Sequence, residues 1–184
     1  MKLRIVGWTA LFSALVFATP AAAQGLPPIA FEARGGVSLP TGDFARPLTL
    51  GYGLGGHASV AVMPTLAIYG GYTYTSFDFD RNAPGEREGS YDLQGFDAGA
   101  RFNAPTLTRI SPYLRLGGVY YKGESSDGEI SDKQKFGFQL GAGLEYELGR
   151  YASITPELRY TTISHSNRTD ASYVTLDFGL RFQP

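Results

Sequence analysis

The first chemistry in this chain lies in charged residues that recur at intervals of two and four positions. Glu32 and Arg34, Glu145 and Glu147, and Glu157 and Arg159 are two apart; Asp97 and Arg101, and Asp177 and Arg181, are four apart. In an extended chain these spacings put both members on one face, because successive side chains point to opposite sides. Arg115, His57 and Gln139 share the corresponding face of their own segments. The set holds six carboxylates and five guanidiniums, and none of its bases is Lys. A guanidinium is a planar, multi-donor fork that can satisfy several carboxylates at once. A buried charge without a partner costs several kcal/mol, so near-balance is what an enclosed polar core requires. Such a set suits either a proton path or selectivity filter, or a salt-bridged plug that holds a barrel shut. The balance of charge favours the plug.

Other chemistry is thin. His57 lies among Gly53, Gly55 and Ser59 with no second His or Cys at metal-ligand spacing, and reads as a satisfied interior side chain. His165 and Ser166 sit in Ser164-His165-Ser166-Asn167. A serine nucleophile needs its base within hydrogen-bond reach, yet adjacent residues on a strand point apart. No Glu follows, since the last acid is Asp177. The stretch reads as a polar strand-to-loop transition. There is no Walker loop, nucleophile elbow or HExxH motif, and no catalytic residue, cofactor or metal site is expected.

The elements that position these residues begin after a targeting segment. Lys2 and Arg4 precede an apolar run from Ile5 to Ala18, and Ala21-Ala22-Ala23 gives an A-x-A cleavage pattern before Gln24. Residues 1–23 therefore read as a secretory signal peptide, sending 24–184 through the Sec pathway as one domain. No Cys follows the cleavage site, which excludes lipoprotein processing. The chain has no Cys, 24 Gly, 12 Tyr and 12 Phe, with a formal net charge of −1. That composition gives no basic footprint for nucleic acid, and an exported domain without disulfides must draw stability from a core or a membrane. No later segment is apolar for 18 residues, so insertion must be as strands.

Period-2 alternation runs through almost all of the mature chain. Val174, Leu176, Phe178, Leu180 and Phe182 alternate with Thr175, Asp177, Gly179 and Arg181; Phe136, Phe138, Leu140, Ala142, Leu144, Tyr146 and Leu148 alternate with Gly137, Gln139, Gly141, Gly143, Glu145 and Glu147. The same test predicts eight strands over 29–39, 51–62, 66–78, 93–103, 112–122, 135–148, 152–164 and 172–182. Each is about the 9 to 11 residues that a tilted strand needs to cross a bilayer, or slightly longer. The connections alternate between short and long, the asymmetry of an outer-membrane barrel with short periplasmic turns and long outer loops. An interior of eight strands is only just wide enough for side chains. The Gly-rich charged face fits inside it, and the bulky apolar face belongs against lipid. The expected fold is all-β, an eight-stranded antiparallel transmembrane up-and-down barrel.

With Gly35-Gly36-Val37-Ser38-Leu39-Pro40-Thr41-Gly42-Asp43-Phe44, Thr155-Pro156-Glu157-Leu158-Arg159-Tyr160 and Leu176-Asp177-Phe178-Gly179-Leu180-Arg181-Phe182, the mature chain resembles small outer-membrane proteins of the OmpA/OmpX/opacity-protein kind, the outer membrane protein β-barrel domain. The resemblance implies the outer membrane of a Gram-negative cell, contact with membrane lipid and lipopolysaccharide, and insertion by the barrel-assembly machinery. It also implies a role in envelope integrity or surface interaction. Two loops could meet a host or surface ligand: one from Arg81 to Asp92, one from Lys122 to Lys135. Tyr91, Tyr120, Tyr121 and Phe79 flank them as an expected aromatic girdle. A small passive porin-like channel is the alternative. A third reading, a lipid A-modifying hydrolase, comes from a distant similarity of His165 and Ser166 to lipid A deacylase barrels.

Overall fold

The structure, a computed structural model, describes residues 28–45, 48–79, 89–106, 108–125, 131–164 and 171–184. The predicted signal peptide, the centres of both charged loops, and His165 with Ser166 lie outside the described residues. Eight strands follow in chain order: β1 (Ile29–Thr41), β2 (Leu48–Met63), β3 (Leu66–Phe79), β4 (Ser90–Asn103), β5 (Ile110–Ser125), β6 (Ser131–Glu147), β7 (Ala152–Ile163) and β8 (Ala171–Phe182). A single 3-10 turn, Gly42–Ala45, follows β1. Each strand pairs antiparallel with its sequence neighbours, and β1 pairs with β8 from Phe31↔Phe182 to Thr41↔Ser172, which closes the ring. Closure leaves no open sheet edge, the condition for carrying backbone N–H and C=O groups through hydrocarbon.

Every predicted strand is present, and most run a few residues further at their outer ends. Alternation explains why these segments form strands and which way they face. Phe136 and Phe138 are 73% and 70% exposed, while Arg101 is fully buried. That inverts a soluble protein, where charged side chains are almost never fully buried and large apolar ones seldom lie bare. The apolar band is dressed with paired rings: Tyr72 meets Phe96 edge-on at 5.2 Å, and Tyr120 tilts against Phe136 at 4.6 Å. Short connections, such as Pro64-Thr65 between β2 and β3, define the periplasmic end.

Candidate functional site in the barrel interior

Parity along each strand delivers the charged set into the periplasmic half of the lumen. Glu32 on β1 is the hub. Its Oε1 accepts hydrogen bonds from Arg34 Nη2 and Thr155 Oγ1, both at 2.7 Å, and its Oε2 accepts one from Arg115 Nη2 at 2.9 Å. Arg101 Nη1 stands 3.8 Å away. Glu157 on β7 forms the second centre: Arg34 Nη1 donates to its Oε1 at 2.8 Å, and Arg115 Nε lies 3.3 Å from its Oε2. Asp177 pairs with Arg159 at 2.7 Å and with Arg34 at 3.7 Å. Nearest the periplasmic mouth, Glu145 accepts from Arg101 Nη2 at 2.5 Å and from Ser153 at 2.7 Å, with Arg181 Nε at 3.6 Å.

A third centre is built on Asp97. It lies 2.9 Å from His57 Nε2 and accepts hydrogen bonds from Gln139 Nε2 at 2.8 Å and Thr73 Oγ1 at 3.1 Å. Gln139 also donates to the Tyr69 hydroxyl at 2.8 Å. Two guanidiniums stack on rings as well: Arg101 lies 3.7 Å from the centre of Tyr113, and Arg115 lies 4.5 Å from that of Tyr69. Such stacking suits a weakly hydrated planar cation in a dry site. The arrangement cross-links opposing walls and neutralises its own charge.

Of the thirteen residues singled out in the sequence, Glu147 falls outside this network. It is exposed because it ends β6; its parity points inward, but the lumen has already opened into water at that height. The outer half of the lumen also departs from the expectation of a polar interior. Leu48, Phe77, Tyr91, Leu93, Val119, Tyr121, Ile163, Ala171 and Tyr173 form a buried apolar tier there, with Phe44 and Phe79 packed against it. Tyr91, Tyr121 and Phe79, read as girdle residues, thus belong to the interior; of the four, Tyr120 alone points outward to a ring partner. Tyr91 shares the parity of Asp97, and Tyr121 that of Arg115, so counting back along each strand places them inside. Tyr69, Tyr113, Thr73 and Thr155 were findable by the same count. Where the tiers meet, Thr73 lies beside the Tyr121 phenol, and Thr75 lies beside that of Tyr173.

A closed ring of eight antiparallel strands, apolar outside and ion-paired within, defines a small transmembrane barrel of the bacterial outer membrane. The chain belongs to the outer membrane protein β-barrel domain family, whose model matches residues 9–182. No curated protein sequence matches the chain. Among solved structures, Neisserial surface protein A (NspA) is similar over 85% of this chain and 97% of its own, with a TM-score of 0.67 at 17% identity. The N-terminal barrel domain of Pseudomonas aeruginosa OprF gives 0.57 at 16% identity, covering 88% of this chain and 100% of its own. Pseudomonas aeruginosa OprG gives 0.56 at 14% identity, covering 88% and 99%. These likenesses establish a shared fold.

Proposed function

We propose that this protein is a closed, non-enzymatic barrel that supports envelope integrity and meets surface ligands through its outer hairpin ends. One observation carries the reading: Glu32 and Arg115 join opposite walls of the ring at 2.9 Å. An eight-stranded interior has room for little beyond its own side chains, and a contact pair across its width interrupts a continuous water path. The apolar band is suited to bilayer lipid and lipopolysaccharide, and a closed strand ring of this family is suited to insertion by the barrel-assembly machinery. At the outer rim, Lys122 and Glu124 pair side by side on β5, offering the mixed charge that suits a polar surface ligand.

The test is single-channel conductance of the purified, refolded protein in a planar bilayer. A silent membrane, from protein that migrates differently unheated and boiled on a gel, is the expected result. Discrete, reproducible openings would overturn the reading and make the protein a small passive channel. For the envelope role, cells lacking the protein should admit more of a bulky dye; unchanged uptake removes that half of the proposal. Altered lipid A masses on expression would replace the non-enzymatic reading with a hydrolase.

A further inference from the structure

We infer that the lumen is sealed twice in series, by the apolar outer tier as well as by the ionic tier, and that Phe44 is the keystone of the outer seal. This rests on the closed-barrel reading and deepens it. The outer tier draws its residues from β2, β3, β4, β5, β7 and β8, so it reaches from one wall to the opposite one rather than lining a single wall. Phe77 is fully buried and Tyr173 is 1% exposed, and their rings meet edge-on at 5.3 Å. An apolar constriction blocks ions and water by refusing to hydrate them. The ionic tier blocks by charge pairs that fill the bore. The two therefore fail under different substitutions, and Thr73 marks where they meet, donating to Asp97 of the ionic tier and lying beside the Tyr121 phenol of the apolar one.

Phe44 differs from the other members in how it is held. Its ring lies edge-on to Phe77 at 5.6 Å and to Tyr91 at 5.9 Å, closing the stack from above. Those two rings stand on strands fixed by ladder bonds on both sides. Phe44 stands on a single 3-10 turn, whose hydrogen-bond geometry is poorer. Gly42, at φ 62°, starts that turn and swings the chain inward over the mouth. Among the described residues, Phe44 is the part of the plug that can leave without breaking the wall.

The chain has no Cys, so one introduced thiol reports without background. Thr75 is 2% exposed and two positions to the periplasmic side of Phe77, on the same face of β3, which puts it behind the Phe44–Phe77 rings as seen from outside and level with Tyr173. A membrane-impermeant cationic methanethiosulfonate is applied to intact cells expressing Thr75→Cys. No labelling is expected with both tiers intact, complete labelling with Phe44→Ala and Phe77→Ala added, and none with Glu32→Ala and Arg115→Ala added instead. Protection in the outer-trimmed protein, or labelling in the inner-trimmed one, overturns the double seal. Every variant is checked for its heat-dependent gel shift; Phe44→Ala alone replaces the pair should Phe77→Ala fail to fold. Planar-bilayer recordings complete the test: each tier trimmed alone should be silent, and both trimmed should conduct. A silent unaltered barrel with a protected thiol after outer trimming rejects the double seal and leaves the closed barrel standing. Openings of the unaltered barrel reject both.

Discussion

Arg115 Nη2 on β5 lies 2.9 Å from Glu32 Oε2 on β1, and these two strands face each other across the ring. The pair works as a cross-brace, because pulling either wall outward separates charges in a dry interior. Glu32 also holds Arg34 and Thr155, so its loss strands more than one donor. Glu32→Ala should destabilise the barrel by about 3–5 kcal/mol, the range for removing one partner of a buried pair. Urea unfolding from lipid vesicles checks this, and a loss below about 1 kcal/mol, the scale of exposed pairs, would show that the brace carries no strain.

Asp97 serves His57, Gln139 and Thr73 at once. Asp97→Ala is expected to cost at least about 1.5–3 kcal/mol, the value of a hydrogen bond to a charged group, since several donors lose their acceptor together. Asp97→Asn keeps the shape and part of the bonding and should fall between. The ordering of the three unfolding midpoints is the measurement.

The lipid-facing band should resist charge in proportion to depth. Leu140, in the middle of β6 and exposed, should cost about 2–4 kcal/mol as Leu140→Arg, whereas Phe102→Arg near the periplasmic end of β4 should cost about 0–1 kcal/mol from the charge itself. Equal penalties at the two positions would contradict the assigned membrane span.

Gly117 and Gly118 are neighbours with opposite tolerances. A Cβ on Gly117 would sit 2.2 Å from the Tyr69 hydroxyl and 2.7 Å from the Ala98 carbonyl oxygen, while one on Gly118 would meet nothing nearer than 3.8 Å. Gly117→Ala should cost about 1–3 kcal/mol by overpacking, displacing Tyr69 from Gln139. Gly118→Ala should be close to neutral. Thermal unfolding of the two folded variants distinguishes them.

The strands and the direction of nearly every side chain were legible, because a pleated chain fixes in or out by parity alone. The charged cluster was legible for the same reason: Glu32, Arg34, Glu157 and Arg159 could only meet inside a closed ring. Height was the quantity parity does not carry. Glu147 has the inward parity of Glu145 but stands past the end of the lumen. Tyr91 and Tyr121 have inward parity too, yet an aromatic near a loop is equally at home in an interfacial girdle. Which Arg meets which carboxylate depends on strand tilt and on the register between non-neighbouring strands, and no local pattern encodes either. Phe44 escaped because it lies on an irregular turn where alternation has stopped.

The seam between β1 and β8 joins the first strand to the last. A chain delivered N-terminus first therefore holds β1 with an unsatisfied edge until the final segment arrives. That edge is a template for pairing with any other strand nearby. Local hairpins such as β2–β3 can form early, but the seam is the longest-range pairing in the molecule and the slowest kind to find. Arg34 on β1 reaches past β8 to Glu157 on β7, so the ion cluster latches only once the seam is shut. A chain cut short before Ala171 would keep most of its hairpins and still have no cylinder, which makes the pairing of β8 the step that commits the whole assembly.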